Sequence, residues 1–100
     1  MTIEINGTTY PLRASMGAWR KFEQATGIKV AQVGEGDITR IPEMIYYFIQ
    51  AGCKYENKKF TMSVDDFLDL VTIDDVTKMS EVITELLSIG DKKKVTAIEV

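Results

Sequence analysis

The sequence contains no histidine. That zero removes the commonest general base near neutral pH and the commonest metal ligand. It also excludes a Ser-His or Cys-His nucleophile built from this chain. Cysteine occurs once, at Cys53, so no disulfide can close within the chain and no CxxC pair exists for zinc or redox chemistry. Such a chain reads as intracellular. Positive charge is short as well: 12 Lys and Arg stand against 15 Asp and Glu, for a net charge of −3. A nucleic-acid binder needs a basic surface to displace counterions from phosphates, and the total gives that no support. Long apolar runs are missing. The longest nearly apolar stretch, residues 44–53, is interrupted by Gln50 and is about half of the ~20 residues that a membrane helix needs. Met1-Thr2-Ile3-Glu4 has no basic region followed by an apolar run, so no signal peptide is expected.

What is present fits one globular domain. The chain has 100 residues, 45% of them apolar and 27% charged, which is ordinary for a domain with a single core. Asn6-Gly7 lies between Thr2-Ile3-Glu4-Ile5 and Thr8-Thr9-Tyr10-Pro11-Leu12. Asn-Gly between alternating runs predicts a hairpin, because a type I′ turn needs positive φ at both central residues. In that register Ile5 faces Thr8 and Ile3 faces Tyr10, so Ile3, Ile5, Tyr10 and Leu12 share a face. A lone hairpin is marginal in water, and that face needs a helix to cover it.

Ser15 is placed to cap a helix running to Thr26, with Gly27 as its left-handed terminator. Met16, Trp19, Phe22 and Glu23 form its stripe, read as mainly core. Residues 28–39 have weak periodicity and read as a loop. Pro42 suits the first residue of the next helix, with an N-cap near Arg40 or Ile41. Met44, Ile45, Phe48, Ile49, Gly52 and Cys53 recur there at helical spacing, and Tyr46, Tyr47 and Ala51 widen the apolar surface almost all round. Ser63-Val64-Asp65-Asp66 resembles a capping box with Asp in place of Glu. Val64, Phe67, Leu68 and Val71 make one short helical face. Thr72 or Asp74 caps a last helix in which Val76, Met79, Ile83, Leu86, Leu87 and Gly90 repeat amphipathically, with Gly90 as the expected stop. After it come Lys92, Lys93 and Lys94 and a short apolar end that either frays or adds a strand.

Candidate chemistry is thin. Asp65, Asp66 and Asp69 are close in sequence, as are Asp74 and Asp75, but acidic residues favour the first turn of a helix. Adjacent helical residues also diverge by about 100°, so neither pair converges like a catalytic dyad. Gly34-Glu35-Gly36 lacks the Lys-Ser/Thr of a phosphate loop. Cys53 sits on an apolar stripe with no histidine to activate it and reads as core. Tyr46, Tyr47 and Tyr55 exceed what one core face requires, and tyrosine is enriched at protein interfaces.

Taken in order, these features resemble the tail assembly chaperones of long-tailed phages and prophages. The residues that carry the likeness are the hairpin ending Tyr10-Pro11-Leu12-Arg13 and the first helix Met16-Gly17-Ala18-Trp19-Arg20-Lys21-Phe22-Glu23-Gln24-Ala25-Thr26-Gly27. They continue with Ile45-Tyr46-Tyr47-Phe48-Ile49-Gln50-Ala51-Gly52-Cys53 and with Phe60-Thr61-Met62-Ser63-Val64-Asp65-Asp66-Phe67-Leu68-Asp69-Leu70. The likeness covers about residues 3–90, and its motifs are degenerate. It implies a small helical protein that coats the aggregation-prone tape-measure protein in the host cytoplasm and brings tail-tube subunits to it, with homo-oligomerisation as a further option. It also implies a ribosomal frameshift near the end of many such genes, and adenine-rich codons for Lys92, Lys93 and Lys94 would suit one.

The expected fold is therefore mainly α (α+β): an N-terminal β-hairpin packed on a bundle of about four helices. Residues 1–90 are expected to form one globular domain and 91–100 a C-terminal tail. The expected function is non-catalytic binding of the tape-measure and tail-tube proteins, with Trp19, Tyr46, Tyr47 and Phe60 on the partner surface. No cofactor, metal, nucleic acid or membrane is expected as a partner. The alternatives are a structural tail component of the connector or terminator type, and a generic protein-binding adaptor. A carboxylate- or lysine-based enzyme would need convergent carboxylates.

Overall fold

Asn6 and Gly7 adopt φ values of 52° and 80° and fold Thr2–Ile5 (β1) against Thr8–Pro11 (β2) as an antiparallel pair. The register is the expected one, Ile3 opposite Tyr10 and Ile5 opposite Thr8. Ile3, Ile5 and Leu12 are buried on the shared face. The computed structural model describes residues 1–33 and 38–99, with side chains of the last helix as far as Leu86.

Met16–Thr26 (α1) begins where Ser15 Oγ accepts the Ala18 N–H at 3.1 Å and ends at Gly27, whose φ of 72° turns the chain out of the helix. The core side of α1 differs from the expected stripe. Phe22 and Ala18 are buried and Trp19 is half-buried, whereas Met16 is 77% exposed. As the first helical residue, Met16 projects back beyond the helix end and finds no element to pack on among the described residues. Glu23 does more than mark an edge: its Oε2 accepts the Trp19 indole N–H at 3.1 Å and the Val30 N–H at 3.0 Å. That pins a single 3-10 turn, Val30–Gln32, under α1; the sequence predicts only loop there.

Arg40–Tyr55 (α2) is the centre of the molecule. Ile41, Met44, Ile45, Phe48, Ile49 and Cys53 are all buried, and α1, α3, α4 and β2 each pack against it. It starts two residues earlier than expected, with Thr39 as its N-cap, so Pro42 is its third residue. The position is still harmless, since the first-turn N–H groups of a helix have no intrahelical acceptor. The C-terminal end of β2 lies directly on α2: the Arg13 N–H donates to the Phe48 carbonyl at 3.1 Å.

Val64–Leu70 (α3) is capped by Ser63 Oγ, which accepts the Asp66 N–H at 3.1 Å, and it buries Phe67. Ile73–Glu99 (α4) opens with a reciprocal pair: the Thr72 N–H donates to Asp75 Oδ2 at 3.0 Å, and the Asp75 N–H donates to Thr72 Oγ1 at 3.3 Å. Met79 and Ile83 of α4 are buried against the core. Gly90 does not stop this helix, which continues through residues 91–99 where a frayed or extended tail is expected. A glycine costs about 1 kcal/mol within a helix but leaves its hydrogen-bond ladder intact, and the lysines that follow are good helix formers. The architecture is thus a hairpin followed by four helices. Among the described residues, no helix is long and apolar enough to cross a membrane.

Candidate partner-docking groove

Helices α1 and α2 do not close completely over each other. Between them lies an open hollow of about 130 Å³ lined by Gly17, Ala18 and Lys21 of α1 and by Tyr47, Gln50, Ala51 and Lys54 of α2. The α2 residues fall at i, i+3, i+4 and i+7, which is one helical face. A second hollow of about 290 Å³ adjoins it, sharing Lys21, Gln50 and Lys54 and adding Cys53, Lys58 and Phe60. Together they form one shallow groove that runs past the end of α2.

Two of the four residues expected on a partner surface meet here. Tyr47 and Phe60 are both half-buried and line the groove. Tyr46 does not belong to the surface. It is only 6% exposed, and its ring packs on Tyr47, Phe60 and Phe67 at centroid distances of 5.2, 5.4 and 5.7 Å. Its hydroxyl donates to the Met62 carbonyl at 2.6 Å and accepts from Gln50 Nε2 at 3.3 Å. The residues after α2 return across Tyr46 and bury it, a tertiary effect that helical periodicity cannot show. Trp19 is half-buried and lies outside the groove, with its indole N–H taken by Glu23. Tyr55, by contrast, is 68% exposed, and the Arg13 guanidinium stacks 3.9 Å from its ring centroid.

Sequence reasoning passed over the groove's cations. Lys21 follows Ala18 by three residues and Lys54 follows Tyr47 by seven, so helical spacing alone places each beside a lining residue. Lys58 is paired with Glu56 at 3.1 Å. Lys21 and Lys54 have no ion-pair partner among the described residues.

Burial raises the pKa of Cys53, with Lys58 lowering and Glu56 raising it further. Burial likewise raises Tyr46 and Tyr47, helped by their mutual proximity in the first case and by Glu43 in the second. All three groups ionise more readily in the unfolded chain, where their usual values are 9.0 for the thiol and 10.0 for the phenols. The stability they contribute is complete below those values and is lost as pH rises through the folded ones. The urea midpoint is therefore expected to stay level up to about pH 8 and to fall from about pH 9 upward. A midpoint that holds to pH 11 would contradict this placement of the three groups.

Among the described residues, no cluster of Cys, Asp and Glu could hold a metal ion. Asp66 and Asp75 donate their N–H groups to helix caps; Gly34-Glu35-Gly36 lies outside the described residues. A separate apolar hollow of about 220 Å³, lined in part by Ile38, Pro42, Leu68 and Ile73, opens where α2, α3 and α4 meet, and no charged side chain lines it among the described residues. No family model, curated protein or solved structure matches the chain.

Proposed function

We propose that the chain is a non-catalytic partner-binding domain of the host cytoplasm, acting as a phage or prophage tail assembly chaperone. In this role it holds the tape-measure protein and recruits tail-tube subunits. The observation that carries the binding role is the groove between α1 and α2, where Tyr47 and Phe60 are reachable beside Lys21 and Lys54, which have no ion-pair partner among the described residues. Half-buried aromatics are what a protein surface offers for recognition, and the apolar stems of adjacent lysines extend that surface. The phage assignment is supported by the order of hairpin, Trp19-containing helix, Tyr46-Tyr47 helix and Phe60-to-Leu70 segment. The mechanism is mass action: occupying apolar surface of the partner lowers the free concentration of an aggregating species.

The test is the DNA around the gene, read in all frames, followed by co-expression. A tube-protein gene before it and a very long helical tape-measure gene after it are expected, with an overlapping frame entered at the codons for Lys92, Lys93 and Lys94. The tape-measure protein should be soluble only when this chain is co-expressed. Unrelated neighbours, or a tape-measure protein equally soluble alone, would remove the phage assignment and leave an adaptor domain.

A further inference from the structure

We infer that the α1–α2 groove docks an acidic helical segment of a partner protein. This rests on the reading of the chain as a partner-binding domain and names the chemistry of the partner. The chain carries a net charge of −3, yet among the described residues three lysines and no Asp or Glu line the two hollows of the groove. Lys21 and Lys54 are unpaired among the described residues, so their charge is available to a visitor. The α2 residues that line the groove share one face over two turns, so an occupant lies along the helix, and a second helix is the element that fits such a trough. Carboxylates at helical spacing reach the lysines while an apolar side chain rests against Tyr47 or Phe60. Elsewhere the surface opposes the same visitor: Asp65, Asp66 and Asp69 on α3 and Asp74 on α4 are all exposed. Repulsion there and attraction in the groove together favour the groove over α3 and the start of α4.

The probe is a fluorescein-labelled Glu/Leu amphipathic peptide of about 18 residues, long enough to be helical when bound, and its Lys/Leu counterpart. Anisotropy titration is expected to show binding of the acidic peptide only, weakening as salt screens the pairs. Three modest surface pairs compound, so the triple variant K21E/K54E/K58E is expected to bind at least roughly tenfold more weakly. Its unfolding midpoint should fall only slightly, since Lys58→Glu breaks an exposed pair with Glu56 and Lys54→Glu puts negative charge in the last turn of α2, and Lys78→Glu on α4 should bind like the parent. Equal binding of both peptides, no binding of the acidic one, or an undiminished triple variant overturns the inference. So does binding that is lost with Ile73→Ser and kept in the lysine variants, which would move the site to the apolar hollow. Salt-sensitive self-association in place of peptide binding would assign the groove to a second copy and equally overturn it. If the triple variant still solubilises the tape-measure protein, the inference falls and the chaperone reading stands. If lysine-dependent peptide binding is seen and the tape-measure protein is ignored, the inference stands and the chaperone reading falls.

Discussion

Replacing Gly52 with alanine is expected to destabilise the domain by about 2–3 kcal/mol, the upper part of the ~1–3 kcal/mol range for forcing extra volume into a packed interior. For a chain of this size that lowers the melting temperature by roughly 10–20 °C. The direction is opposite to the usual helical effect, in which Gly→Ala is worth about 1 kcal/mol of added stability. At Gly52 a Cβ would stand 2.5 Å from the Pro11 carbonyl oxygen, 2.6 Å from its carbon and 2.9 Å from the Leu12 nitrogen. All three are backbone atoms, so no side chain can swing aside. The end of β2 would have to lift from α2, straining the Arg13 N–H bond to the Phe48 carbonyl and uncovering Leu12. Gly17→Ala is the matched control: its Cβ would meet only Ser15 Oγ, at 3.8 Å. That variant is expected to match or exceed the parent by up to about 1 kcal/mol. Thermal melts by circular dichroism on both variants decide the matter, and equal gains in both would show that the hairpin does not press on α2 at Gly52.

The same glycine shows how much of the fold the sequence carried. Its place in the apolar stripe with Met44, Phe48 and Ile49 was legible from spacing, but not the reason for its lacking a side chain, since that reason is the backbone of Pro11 and Leu12. Local signals survived folding where one hydrogen bond or one φ value decides them. Asn6-Gly7, the Ser15 cap, Gly27 and the Thr72 cap are of this kind. Readings that depended on what arrives from elsewhere in the chain did not survive as well. Met16 stays exposed, α4 runs on past Gly90, and Glu23 proved to be a clasp for Val30. For the candidate site, Tyr47 and Phe60 were legible as aromatic surplus. Lys21 and Lys54 were not, because a lysine on a helix reads as a solvated face until a second helix is set beside it.

Tyr46 separates core from surface most sharply, and its replacement by alanine is expected to cost about 3–5 kcal/mol, as for other large buried rings. A domain of this kind has a total stability of about 5–15 kcal/mol, so Tyr46→Ala should leave a measurably unfolded fraction at moderate temperature. The ring supports Phe60 and Phe67, and its hydroxyl holds the Met62 carbonyl. Losing it therefore loosens the return of residues 58–63 and the seating of α3 on α2 at once. Tyr46→Phe keeps the ring and removes only the hydroxyl; leaving a carbonyl without its donor is worth about 1–2 kcal/mol. Tyr47→Ala removes a half-buried ring from the groove and is expected to cost less stability than Tyr46→Ala while weakening peptide binding. Urea unfolding of the three variants gives the order directly. If Tyr46→Ala melts like the parent and Tyr47→Ala does not, the two neighbours have exchanged roles. In that case the groove's lining, and the acidic partner inferred from it, would have to be rebuilt around Tyr46.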